Sequence, residues 1–350
     1  MRSRNERAGL GIHSAFVLSA SLWCCAASLA WQGTFPGKLD TYFTKTLQLT
    51  AEQRKALLAG QPLARILEAD PGKEVAVFGA IWIAASPSRY VAALRAIEDF
   101  EKGGNFIVTK RISEPARPED FAALTLPDDD LADLQSCEVG DCELKLGAEA
   151  LGQLRKEVNW KAPDAKSQVE RLMRSLAVRY VTAYREGGNS ELAVYRDGDR
   201  PTYIANEFRE LVQGMPELSD YVPGIRQYLL EYPKPDPRIT DSFLYWQEAK
   251  FGLKPTVRIN HVAIQGGSDV TVVASKLLYA SHYFWTALEL RVLVPDPSRG
   301  AGFWFVSVSR SRSDGLSGFT GHIIRGKVRE AARAGQEKAL IAMKKRLEAP

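Results

Sequence analysis

The chain has 350 residues, 45% hydrophobic and 25% charged, with a formal net charge of +4. That length holds one large domain or two modest ones with a sizeable core, and the composition is ordinary for a soluble globular protein. The first thirty residues contain three Arg and one Glu, leaving 43 basic and 41 acidic side chains beyond them, a balance that argues against a nucleic-acid partner held by bulk charge.

Arg2, Arg4 and Arg7 precede an uncharged, largely apolar run over 15–30 that ends in Ser28-Leu29-Ala30. This is the pattern of a secretory signal peptide over 1–30, cleaved after Ala30, and it predicts a periplasmic or secreted protein. An uncleaved anchor would need roughly 20 apolar residues, and the run is short of that. Cys24 and Cys25 invite a lipoprotein reading, but the bulky Trp23 spoils the lipobox, so they are read as apolar filler. No later segment reaches spanning length without charges. After cleavage only Cys137 and Cys142 remain, around the tight Gly140-Asp141 loop. Two cysteines this close in an exported chain predict a disulfide. With two thiols and no His nearby a metal site is not expected, and no motif requires a cofactor.

Residues 31–72 read as a peripheral helical segment. Thr50 and Gln53 form a capping box ahead of a helix over 51–58, which Gly60 ends. Residues 73–149 open with a buried strand over 74–84, rich in Val, Ile, Phe and Trp. Ser86-Pro87 starts a helix whose Tyr90, Leu94, Ile97 and Phe100 share one face. Gly103-Gly104 stops it, and 106–112 is another strand. Asp128, Asp129 and Asp130 lack the alternate spacing of a calcium loop and read as the solvated N-terminus of a helix. Residues 150–237 read as a helical insertion. Val169, Leu172, Met173, Leu176 and Tyr180 recur there at helical spacing, and Pro233, Pro235 and Pro237 stiffen its exit.

Residues 238–350 carry a C-terminal sheet and a closing helix. Over 256–265, Val257, Ile259, His261 and Ala263 share a face. Gly266-Gly267 reads as a two-residue hairpin turn that pairs Gln265 with Ser268 and His261 with Val272. Val270, Val272, Ala274, Lys276, Leu278, Ala280 and His282 continue that face. Phe284, Thr286, Leu288, Leu290, Val292 and Val294 extend it, while Glu289 and Arg291 point away. No Gly or Pro interrupts 270–294, far longer than a typical strand of about 5–6 residues. A bend or bulge is therefore expected, and a one-residue bulge would flip part of the assignment. On the last strand Trp304, Val306, Val308, Arg310 and Arg312 lie opposite Ser307, Ser309 and Ser311. Pairing across the 295–303 loop sets Arg312 near Thr286, and Asp314 near Phe284 and one step from His282. The closing helix over 325–347 carries Val328, Ala332, Gly335, Ala339, Met343 and Leu347 in one stripe. Its small residues either leave space beneath it or allow close packing.

The apolar face thus collects His261, Lys276, His282, Arg310 and Arg312, and His261, His282 and Arg310 are expected in one enclosed space beneath the closing helix. Burying several cations without partners is costly. Either they cluster at an open rim, or acids such as Asp314 satisfy them, or a bound anion does. Singly, each His reads as a satisfied core or rim histidine, and 310–314 reads equally well as a salt-bridged strand end.

This order of an opening strand, short helices, an antiparallel sheet and a long last helix resembles the START-like, helix-grip superfamily of hydrophobic-ligand carriers and cyclases. The words Cys137-Glu-Val-Gly-Asp-Cys142, Tyr245-Trp-Gln-Glu-Ala-Lys-Phe-Gly-Leu-Lys-Pro255, Tyr279-Ala-Ser-His-Tyr-Phe284 and Ser309-Arg-Ser-Arg-Ser-Asp-Gly315 resemble uncharacterised exported bacterial proteins. The resemblance implies an α+β fold in which a curved antiparallel sheet grips a long C-terminal helix, here with a large helical insertion. It also implies a small hydrophobic or amphiphilic ligand, exchanged through contact with a membrane; the cations on the apolar face add the expectation of an acidic head, as on a lipid or fatty acid. The candidate ligand contacts are His261, Lys276, Tyr279, His282, Arg310 and Arg312. Two further readings stand beside this one. The first is a hydrolase or cyclase in the same cavity, with His282 as general base oriented by Asp314 and a hydroxyl from Tyr279 or Tyr283. The second is a ligand-free envelope scaffold with a filled core. The sequence leaves the oligomeric state open.

Overall fold

Eight antiparallel strands form one curved sheet in the computed structural model, which describes residues 34–252, 254–267, 269–316 and 318–349. The expected signal peptide and Ser268 lie outside the described residues. The strands are β1 (Leu63–Ile66), β2 (Glu74–Ile83), β3 (Phe106–Ile112), β6 (Ile239–Phe251), β7 (Lys254–Gln265), β8 (Thr271–Ala280), β9 (Phe284–Pro295) and β10 (Phe303–Ser313). Two short strands, β4 (Val194–Tyr195) and β5 (Thr202–Tyr203), pair apart from it. The order across the sheet is β1-β2-β10-β9-β8-β7-β6-β3. The last five strands therefore form a meander, with β2 and β1 added at one edge and β3 at the other. Residues from Thr34 onward form one compact unit, so the segments read from the sequence are parts of one body.

The helices start where local chemistry starts them. Thr50 caps α2 (Ala51–Leu58) with the expected capping box. Ser86 caps α3 (Pro87–Arg95), with Pro at its first position; α4 (Ile97–Phe100) follows after a break at Ala96. Ahead of these, α1 (Gly37–Thr41) runs into a π-helical turn at Tyr42–Thr46. Acids open α5 (Asp128–Ser136). The insertion contains α6 (Ala148–Glu157), α7 (Ala165–Gly187), α8 (Ile204–Gln213) and α9 (Pro223–Glu231). The chain closes with α10 (Gly318–Glu348). The fold is thus α+β, a curved antiparallel sheet with a long C-terminal helix. Cys137 and Cys142 are joined by a disulfide, and Cys137 is buried among Leu134, Leu144 and Leu151. Among the described residues no helix is long and apolar enough to cross a membrane.

Both faces of the sheet are covered. On one, Phe78, Trp246, Ala263, Leu288 and Trp304 pack against Phe43 of the N-terminal segment and Tyr184, Phe208 and Ile225 of the insertion. On the other, Ile81, Phe243, Val262, Val273 and Phe305 pack against Tyr90 and Leu94 of α3 and Leu340 and Leu347 of α10. His261, Lys276, Arg310 and Arg312 are on the first face, under the insertion, so the expected enclosure of His261 and Arg310 beneath the C-terminal helix is wrong. Alternation groups residues by face; it does not say which helix covers the face.

Three local departures matter for the site. The β7–β8 loop is longer than a two-residue turn: Gln265 pairs with Val272 and His261 with Lys276. The shift is even, so the faces are kept. The 270–294 run is a hairpin, with Tyr283 at φ 62° in the turn between β8 and β9. An irregularity between Ile259 and Asn260 sets Tyr279 opposite Ile259. That flips the end of β8, so Tyr279 packs on the insertion face and Ala280 and His282 leave it. On α10, Gly335 and Ala339 are exposed, and Gln336 and Leu340 turn towards the sheet instead.

Candidate functional site

One row of side chains crosses the insertion face: Leu244, His261, Lys276, Leu288, Arg310 and Ala76, each paired with the next. Its polar members are answered from the insertion. Lys276 is 1% exposed. Its Nζ donates to Asn189 Oδ1 and, at 3.3 Å, to Tyr184 Oη, and lies 4.0 Å from the centre of the Phe208 ring. Burial lowers its affinity for a proton well below that of an ordinary lysine.

His261 is wedged between two hydroxyls, with Nδ1 2.8 Å from Tyr184 Oη and Nε2 2.7 Å from Ser242 Oγ. Ser242 is exposed and also accepts from Tyr228 Oη at 3.3 Å. A chain of polar contacts therefore runs from solvent through Ser242, His261 and Tyr184 to Lys276. The Ser–His distance is that of a nucleophile and its base, but the electrostatics are not. No carboxylate among the described residues touches the ring, and burial, with the charges of Lys276 and Arg185, pushes its pKa down to about 3. A general base works best with a pKa near the operating pH, so this imidazole is a poor proton acceptor at neutral pH.

The two arginines are committed to carboxylates. Arg310 Nη1 is 2.8 Å from Glu74 Oε1, and Arg312 Nε is 3.3 Å from Glu74 Oε2. Arg312 Nη1 also meets Glu207 and Glu210 of α8, each at 2.8 Å. Lys73 joins Glu210 at 3.2 Å. Three cations thus face three carboxylates, which removes the motive for an anionic ligand head at Arg310 and Arg312. The salt-bridged alternative for 310–314 is the one observed, with partners from β2 and α8.

The His282–Asp314 pair does not form. His282 Nε2 is 3.0 Å from Asp130 Oδ2, and Nδ1 is 3.3 Å from the carbonyl of Glu143. Asp314 instead binds Lys145 at 2.5 Å, which also holds Asp197 at 2.7 Å. A register shift between Arg312 and Ser313 places Ser313, not Asp314, opposite Phe284. The buried Asp130 was read from the sequence as a solvated helix start; its helical position turns it inward while Asp128 and Asp129 face out. Tyr184, Asn189, Lys145 and Glu74 were also missed, and nothing local marks them. Glu207 and Glu210, three apart on α8, could have been noted as one acidic face.

Among the described residues two cavities on this face stand out. The first, of about 350 Å³, lies between the sheet and the insertion, lined by Leu146, Met173, Ala177, Tyr195, Ile259 and Tyr279 among others. Around it Tyr180 Oη donates to the carbonyl of Leu278 at 2.7 Å, and Tyr195 Oη accepts from the Ala280 amide at 3.2 Å. Tyr279 Oη is buried and has no hydrogen-bond partner among the described residues. Burial raises the pKa of all three phenols, so they stay protonated. The second cavity, of about 370 Å³, lies between the N-terminal segment and strands β9 and β10. Among the described residues no group of three His, Cys, Asp or Glu is placed to hold a metal ion. No protein-family model and no curated protein matches this chain.

Proposed function

We propose that this protein binds a small, predominantly apolar and uncharged molecule, such as a neutral lipid-like amphiphile, in the cavity between α7 and the sheet. The observation that carries the reading is the Tyr279 hydroxyl, buried without a partner beside an apolar space of about 350 Å³. Ligand sites of this kind combine apolar walls with a few placed polar groups and volumes of roughly 300–1,000 Å³. An unmade hydrogen bond in such a place is unfavourable, and a ligand hydroxyl or carbonyl would complete it. An acidic head is set aside because Arg310, Arg312 and His282 already face carboxylates and Lys276 is enclosed by Asn189, Tyr184 and Phe208. The two cavities also favour a binding protein over a filled scaffold. The N-terminal pattern and the Cys137–Cys142 disulfide support export, with ligand exchange at a membrane surface.

Calorimetric titration with 1-decanol tests this. Saturable binding is expected, abolished by Ala177→Trp, which fills the cavity. Tyr279→Phe should weaken it about two- to tenfold, since a neutral hydrogen bond contributes roughly 0.5–1.5 kcal/mol. Binding that is absent, or that survives Ala177→Trp unchanged, overturns the proposal.

A further inference from the structure

The second cavity has a different chemistry from the first. Its floor is the valine-rich part of the sheet, with Leu290, Val292 and Val306 among the lining residues, and Leu39 and Val222 come from the covering segments. Two carboxylates line it, Glu217 and Asp269, and Glu217 is the buried one. Glu217 opens the π-helical turn Glu217–Tyr221 and is 5% exposed. Its Oε1 accepts from Tyr42 Oη at 3.0 Å. Its Oε2 is buried with no partner among the described residues. Burial, with the carboxylate of Glu217 beside it, raises the Tyr42 pKa well above the ordinary value, so Tyr42 keeps its proton and its donor role. Lys38 and Asp269 also line the cavity.

A carboxylate oxygen buried without a donor is unfavourable, and a charged donor satisfies it better than a neutral one. We infer that this cavity is a second ligand site, which takes a small amphiphile with a protonated amine, the ammonium on Glu217 Oε2 and the alkyl chain along the valine wall. The site is separate from the cavity of the proposed function and stands or falls independently of it.

The test is calorimetric titration of the purified protein with hexylamine, octylamine and decylamine at neutral pH, with 1-octanol and octanoate for comparison. In the Ala177→Trp protein, whose first cavity is filled, octylamine should bind at least tenfold more tightly than 1-octanol, because only the ammonium makes a charge-assisted bond. Octanoate should bind weakest. Each added methylene should tighten binding roughly fourfold, as expected for burial of a CH₂ group. Glu217→Gln keeps an acceptor for Tyr42 and should remove the preference for amine over alcohol. Val292→Phe narrows the cavity and should weaken amine binding at least tenfold, while Ala177→Trp in the first cavity leaves it unchanged. If Glu217→Gln does not fold, Val292→Phe and Ala177→Trp decide the matter between them. An amine that binds no better than the alcohol, or whose affinity follows Ala177→Trp rather than Val292→Phe, overturns the inference. Loss of decanol binding at the first cavity with amine binding intact would overturn only the proposed function.

Discussion

The two faces of the sheet meet the need for a cover with opposite materials. On the insertion face the sheet is mainly apolar, and Lys276, Arg310 and Arg312 are met by partners from elsewhere in the chain. On the α10 face the sheet itself is polar at its centre. Ser275, Glu289 and Ser309 lie in one row, and Arg291, Ser307 and Gly79 in the next. Arg291 holds Glu289 through two contacts at 2.8 and 2.5 Å. Asn260 Nδ2, Ser275 Oγ and Arg291 Nη1 are buried there without hydrogen-bond partners among the described residues. A helix-grip reading puts the ligand space under the last helix, yet both cavities described here open on the other side. Polarity of the sheet was the better guide: apolar walls border the cavities, and the serine-rich rows sit under α10.

The sharpest way to break this contrast is to remove the carboxylate that neutralises the insertion face. Glu74 has 8% side-chain exposure and holds both Arg310 and Arg312. Glu74→Ala leaves Arg310 with only the carbonyl of Glu68, at 3.4 Å, while Arg312 keeps Glu207 and Glu210. Stripping one partner from a buried ion pair costs about 3–5 kcal/mol. Urea unfolding should show a loss of that size, and adding Arg310→Met should recover much of it. A loss below about 1 kcal/mol would mean that these pairs behave as surface pairs do.

The next effect is a pH dependence. The folded His261 pKa is about 3, against an ordinary value of about 6.5. Between those values the unfolded chain binds a proton that the folded chain refuses, so stability rises with pH across that window and is lost as pH falls through it. The slope from this one group approaches about 1.4 kcal/mol per pH unit. His261→Gln should flatten the stability–pH curve between roughly pH 6 and 4 by about that slope, whatever its effect on absolute stability. An unchanged slope would show that the imidazole is charged in the folded protein.

What could be read from the sequence was what is local. The strands over 74–83 and 106–112 and the starts of α2 and α3 rest on residue type, alternation and capping side chains within a few positions. The faces of β7, of β10 and of β9 from Thr286 onward were legible because alternation survives an even change of register, whereas Phe284, expected on the insertion face, packs with Leu277 and Ala287 on the other. The partners were not. Glu74 reaches Arg310 across the sheet, and Asn189 reaches Lys276 from the insertion; neither carries a local signal. The imagined His282–Asp314 pair failed for a related reason. The hairpin turn and a single register shift decide which side chains meet at a strand end, and no composition rule fixes them.

The smallest expected effect lies on the α10 face and tests whether the two faces act independently. Gln336 Nε2 donates to Ser307 Oγ at 2.6 Å and lies over Gly79, where the missing Cβ makes room for it. Gln336→Ala removes one polar tie between α10 and the sheet and should cost about 0.5–1.5 kcal/mol, read by urea unfolding. Ser307 keeps a hydroxyl that water can reach through the shortened side chain, which holds the loss to that range. Leu340 and Leu347 still pack on the sheet, so the helix should stay docked. Because both cavities lie across the sheet from this contact, titrations with 1-decanol and octylamine should move by less than about twofold, as expected for sites without shared partners. A larger shift in either affinity would mean that α10 governs the insertion face through the strands between them, and the two faces would then have to be treated as one coupled unit.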